Sequence, residues 1–146
     1  MPDQPASNDE VVLEWVQSAL EDVRVARRCL LEPPAPRALF FHVQQAAEKA
    51  LKAYLLALGS SGFPRTHLLR DLVKRVQGTN GIEPRAECVE FLDAYSVGVR
   101  YPDTFTPPME VAEAAIGHAV EVIEHVLNQL GLPPPGDDCE QTKLTW

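Results

Sequence analysis

Apolar and polar positions follow a helical period along most of this chain, most clearly over residues 40–58, FFHVQQAAEKALKAYLLAL. At about 100° per residue, Phe40, Val43, Ala47, Ala50, Leu51 and Tyr54 fall on one side of a helix. His42, Gln45, Lys49 and Lys52 fall on the other, at spacings of three, four and three. The apolar stripe is wide enough for the centre of a helical bundle. The polar stripe reads either as a solvated outer face or as a surface for a partner or nucleotide. Gly59 ends this helix, since glycine takes the left-handed conformation past a last turn at little cost.

The same period predicts helices on both sides. The first opens at a capping-box pattern, Ser7 with Glu10, and runs to about Glu32. Its buried stripe is Val12, Trp15, Ala19, Val23, Ala26 and Leu30, with Val16 and Leu20 beside it. Arg24, Arg27 and Arg28 cluster on its flank, as a solvated group or as a phosphate-facing patch. Pro33, Pro34 and Pro36 break it. After the loop GSSGFPRTH, Thr66 is a candidate cap for a short helix over 68–76, with Leu69, Leu72, Val73 and Val76 inward. Asn80-Gly81 signals a turn. A fourth helix starts near Pro84 and carries Cys88, Leu92, Tyr95 and Val99 until Pro102 stops it. A last one covers 108–130 behind Thr106, burying Ala112, Ala115, Ile116, Ala119, Ile123 and Val126. Its outer side is acidic, with Glu110, Glu113, Glu121 and Glu124, and it holds no Lys or Arg.

No stretch alternates with period two and no repeat of fixed length occurs. The expected fold is all-α, an antiparallel four- to five-helix up-and-down bundle. Residues 1–8 form a flexible leader, 9–130 the bundle, and 131–146 a proline-rich, acidic, disordered tail.

Charge narrows the function. The formal net charge is −8, so bulk electrostatics does not drive nucleic-acid binding and any RNA contact needs a local basic patch. Cys29, Cys88 and Cys139 are odd in number and contain no CxxC pair, which speaks against a zinc site or a disulfide framework and for a reducing cytoplasm. The opening MPDQPASNDE does not read as a signal peptide. Uncharged runs are too short to span a bilayer, so no membrane is expected.

Candidate chemistry is sparse. His118 and His125 are seven apart with Glu121 between them; a zinc pair prefers three or four, and both read as half-buried packing histidines. Glu48 lacks the i, i+3 His of a di-iron bundle. No GxSxG, P-loop or Rossmann fingerprint occurs. Neither metal nor cofactor is expected. The corner from Tyr95 to Arg100, Tyr101 and Asp103 is richer. Its guanidinium can brace helix-end carbonyls and pair with Asp103, or hold a phosphate bidentately while Tyr101 stacks on a base.

Three pieces together resemble the HEPN family: FHVQQAAEKALKAYLLALG at 41–59, FPRTHLL at 63–69, and Tyr95 followed by RYPD at 100–103. Family members typically show FHxQQAAEKALKA, FPxTHDL and a YxxxxRYPD-like corner in that order. The resemblance covers roughly residues 10–130. It implies a bundle that forms a homodimer, with the functional site in the cleft between protomers. Many members are metal-independent ribonuclease toxins paired with a small nucleotidyltransferase. Those toxins use an Arg followed after four to six residues by a His.

Here Phe105, Thr106 and Pro107 stand where that His belongs, and losing the imidazole removes a factor of about 10² to 10⁴ in rate. The Arg37–His42 pair has the right spacing but precedes the central helix. Leu68 replaces the family's Asp. The resemblance therefore carries over Arg100, Tyr101 and Asp103, with Tyr95, Lys49, His42 and His67 on matching positions. The reading is a dimeric nucleotide- or RNA-binding module in a toxin–antitoxin-like pair with a nucleotidyltransferase, leaning away from an enzyme. The rivals are an active metal-independent ribonuclease using His42 or His67, and a scaffold whose acidic last helix and tail bind a basic partner.

Overall fold

The apolar stripe of 40–58 becomes the axis of the molecule. The computed structural model describes residues 8–96 and 106–135, and these form α1 (Asn8–Arg28), α2 (Pro36–Ala57), α3 (Leu69–Gly78), α4 (Ala86–Ser96) and α5 (Met109–Leu130), with no strand among the described residues. The chain is an all-α bundle. α2 touches all four other helices, most extensively α1 and then α5, whereas α3 meets only α2 and α4. All six stripe residues of α2 are buried, and so are Leu39, Ala46, Ala53 and Leu55. A helix with neighbours on several sides needs apolar groups beyond one stripe, so α2 buries more of its circumference than an amphipathic surface helix does. No helix among the described residues is long and apolar enough to cross a membrane.

Helix ends differ from the sequence reading where local bonding decides. α1 stops at Arg28, not near Glu32. Leu30 and Leu31 donate to Arg27 and Arg28 carbonyls at 3.1 Å, tightening the last turn, and Ala35 N–H closes the connection on the Cys29 carbonyl at 2.8 Å. α2 starts earlier than expected, because Pro36 sits in its first turn, where a missing N–H costs nothing. The N-cap position of α5 is Pro108, not Thr106, and carries no side-chain cap. Ser7, Val99 and Pro102 lie outside the described residues.

Two glycines hold the turns. Gly59, at φ 82°, ends α2 by donating to the Leu56 carbonyl at 3.0 Å. At the α3–α4 turn Asn80 takes φ 60°, and Gly81 presses so close that a Cβ would meet Leu58 Cδ1 at 2.6 Å and Val76 Cγ1 at 2.7 Å. The next residue is clamped from two helices. Ile82 N–H donates to the Tyr54 hydroxyl on α2 at 3.0 Å, and His125 Nε2 on α5 lies 2.7 Å from the Ile82 carbonyl.

Candidate functional site

The polar stripe of α2 does not form a solvated outer face; it lies along the contact with α1. Asp22, buried on α1, places Oδ1 2.9 Å from His42 Nδ1 and Oδ2 2.7 Å from Lys49 Nζ. One turn further, Glu48 accepts from Gln45 Nε2 at 3.2 Å and pairs with Lys52 at 3.4 Å. Lys52 also stands over the rings of Trp15 and Phe63, 5.6 and 5.3 Å from their centroids, a cation–π arrangement. Burying carboxylates between helices requires such partners. The candidate residues His42 and Lys49 are thus brought together, about one quarter exposed each, on a shared carboxylate. Asp22 escaped the sequence reading, although a signal existed: it lies three after Ala19 and four before Ala26, an acid on an apolar stripe.

A second node joins α2, α3 and α4. The Asp93 carboxylate accepts the backbone N–H groups of Leu69 at 2.8 Å and Arg70 at 3.0 Å. A side chain from α4 therefore caps the first turn of α3, the part normally given to an N-cap residue. Thr66 works one step earlier. Its hydroxyl accepts from Leu68 N–H at 3.1 Å and donates to Asp71 at 2.6 Å. Gln44 Nε2 donates to the His67 carbonyl at 3.1 Å, which fixes the backbone of His67 while its side chain stays exposed. Tyr95, near the last described turn of α4, packs against Phe40 at 5.2 Å and Phe91 at 5.3 Å between ring centroids. Arg100, Tyr101 and Asp103 lie outside the described residues.

The Phe40–Tyr95 contact has a topological consequence. Phe40 is in the second turn of α2, so the C-terminal end of α4 stands beside the N-terminal end of α2. The 29–35 connection brings the C-terminal end of α1 to the same end of the bundle. The end of α1, with Arg24, Arg27 and Arg28, and the start of α2, with Arg37, are therefore at the bundle end where α4 stops.

The third cluster, between α4 and α5, joins Cys88 to His118 and Glu121, of which the sequence reading took the histidine as packing and missed the thiol. Cys88 Sγ donates to Glu121 Oε2 at 2.9 Å and lies 3.2 Å from His118 Nδ1. Arg85 pairs with Glu121 at 3.2 Å and also with Glu87. The His118 ring stacks on Phe91, with centroids 4.3 Å apart. Burial pushes the Cys88 thiol up to about 12, and its hydrogen bond to Glu121 adds to the shift. The same bond, followed by Arg85, holds the Glu121 carboxyl below its usual value. Cys88 therefore rests as a protonated thiol, which is no nucleophile. An open cavity of about 410 Å³ borders the cluster, lined by Arg85, Cys88, Glu121, Glu124 and His125 among others. The available signal was His118-x-x-Glu121, three apart on one helix edge, facing a cysteine on the buried stripe of α4.

A family model for the HEPN domain matches residues 12–129. No curated protein and no solved structure matches the chain.

Proposed function

Because the chain belongs to the HEPN family, we propose that it is a dimeric nucleotide- or RNA-binding module without nuclease activity, working in a toxin–antitoxin-like pair with a nucleotidyltransferase. The observation that carries the binding half is the Phe40–Tyr95 contact at 5.2 Å. It sets the last described turn of α4 at the bundle end where α1, with Arg24, Arg27 and Arg28, stops and α2, with Arg37, starts. A chain of net charge −8 needs such a local patch to meet phosphates, and the acidic outer face of α5 does not supply one. Within this reading Arg100 holds a phosphate, Asp103 orients it, and Tyr95 and Tyr101 supply ring surface for a base.

The absence of nuclease chemistry rests on an account of the imidazoles. The chain has four histidines. His42 is held by Asp22, His118 by Cys88, and His125 by the Ile82 carbonyl. The fourth, His67, has an exposed side chain, and no histidine stands four to six residues after Arg100. The test is a titration of the purified protein with ATP and with short RNA, against Arg100→Ala. Binding that weakens in the variant supports the reading; no binding, or equal binding in both, ends it.

One observation favours the ribonuclease rival. Asp22 holds His42 through Nδ1, the orientation that leaves Nε2 open and steadies an imidazole as a general base. That reading requires metal-free RNA cleavage by the wild type that disappears in His42→Ala. An intact RNA after prolonged incubation with the wild type removes it.

A further inference from the structure

The geometry points to a divalent transition-metal site, of the kind zinc occupies, built from Cys88, His118 and Glu121 with its fourth position open to the α4–α5 cavity. It goes beyond the nucleotide-binding proposal and does not depend on it.

The three donors are one sulfur, one imidazole nitrogen and one carboxylate oxygen, and all three lie within 4.8 Å of one another. These are the ligand types zinc prefers. Around a tetrahedral ion, with metal–sulfur near 2.3 Å and metal–nitrogen or metal–oxygen near 2.0–2.1 Å, neighbouring donors stand about 3.5 Å apart. The sulfur now lies 3.2 Å from His118 Nδ1 and 2.9 Å from Glu121 Oε2. Opening each by roughly half an ångström makes room for the ion. Two of the ligands, His118 and Glu121, share one edge of α5, and Glu121 is on the surface, so this adjustment needs no shift of the core.

Charge closes the argument. Binding replaces the thiol proton: the Cys88 S–H bond breaks, an S–metal bond forms, and one proton goes to solvent. One thiolate and one carboxylate then neutralise a dication. Arg85, already on Glu121 at 3.2 Å, remains as the partner that orients the ligating carboxylate. Phe91 against the His118 ring fixes the plane of the imidazole. Three protein ligands leave a fourth position, the arrangement of zinc sites that accept water or a small ligand. Two of the three ligands, Cys88 and Glu121, line a cavity of about 410 Å³ that gives a fourth ligand access.

The test uses the full chain, stripped with a chelator and titrated with cobalt(II) as the spectroscopic probe. One equivalent is expected to give a thiolate-to-cobalt charge-transfer band, displaced by zinc. The band persists in the double variant Cys29→Ser/Cys139→Ser, where Cys88 is the remaining thiol. It is lost in Cys88→Ser. Glu121→Gln, an exposed change that leaves folding intact by circular dichroism, weakens cobalt binding by at least about tenfold, as does His118→Gln. Zinc addition releases one proton per ion to an indicator dye. Absence of the band in the wild type, its survival in Cys88→Ser, or equal affinity in Glu121→Gln and wild type would each overturn the site.

Discussion

Between α1 and α2 a carboxylate, Asp22, meets an imidazole and an ammonium; between α4 and α5 a carboxylate, Glu121, meets a thiol that in turn meets an imidazole. In the first region both oxygens of the acid are taken and two lysines answer two acids, since Lys52 closes on Glu48. In the second, the sulfur is buried and the acid is on the surface; a cavity of about 410 Å³ borders it, and one of about 420 Å³, lined by Trp15 and Lys49 among others, borders the first. The comparison separates two uses of buried polarity. A carboxylate ringed by its own partners is a structural joint. Donors of mixed type that share a proton can exchange that proton for a ligand.

The strongest way to break this contrast is to remove the centre of the joint. Asp22→Ala leaves His42 and Lys49, two turns apart on α2, facing α1 with no acid between them. The expected loss is about 3 kcal/mol, the low end for breaking a buried pair, because both partners keep some access to water. A lower urea midpoint at unchanged slope is the readout. A variant as stable as wild type would mean that Asp22 is dispensable for packing and that His42 is held for chemistry instead.

Asp93 lies between the two cases, a carboxylate used wholly on backbone. Asp93→Ala removes the acceptor of two first-turn N–H groups of α3 and is expected to cost about 1–2 kcal/mol. Protection of the Leu69 and Arg70 amides against hydrogen exchange should fall before that of α2. Equal loss across all helices would show that α3 has no local stability of its own.

These nodes also show what the sequence made legible. Period and breakers placed five helices, and all six residues chosen for the α2 stripe are buried. Periodicity scores residue type, however, and not partner. Gln44 and Glu48 are polar and buried, and they are buried because Asp93, His67 and Lys52 come to them from other elements or the next turn. Spacing motifs fail at the α4–α5 cluster for the same reason. Cys88 and His118 are 30 positions apart, and nothing short of the fold says they meet. The seam residues His42 and Lys49 were visible as a stripe, but its cover by α1 was not, since the acid that draws them in is on another helix.

Alkaline pH sharpens the contrast from the side of the thiol. Unfolded, Cys88 ionises near its ordinary value of 9.0; folded, it holds its proton up to about 12. The unfolded state therefore loses the proton first, and stability falls as pH rises from 9 towards 12, with no contribution from this group below 9. Unfolding midpoints between pH 8 and 11 should show that decline in the wild type and a shallower one in Cys88→Ser. The seam offers no thiol, so Asp22→Ala should keep the wild-type slope while starting from a lower value.

The smallest stability change is expected at Glu121, and that is what makes it informative. Glu121→Gln keeps an oxygen for the Cys88 S–H to reach and loses only an exposed pairing with Arg85. Exposed pairs contribute little, so the unfolding midpoint at neutral pH should stay where it is. The folded carboxyl is held low by its hydrogen bond from Cys88, so its small contribution is present above the unfolded pKa and is lost as pH falls; Gln removes that acid-side dependence. A joint like Asp22 cannot behave this way, because there the charge is what the neighbours are arranged around. If Glu121→Gln destabilised the bundle as much as Asp22→Ala does, the two regions would be the same kind of object and the α4–α5 cluster would be packing. An unchanged midpoint together with weakened cobalt binding would instead leave Glu121 with a role that only a ligand can reveal.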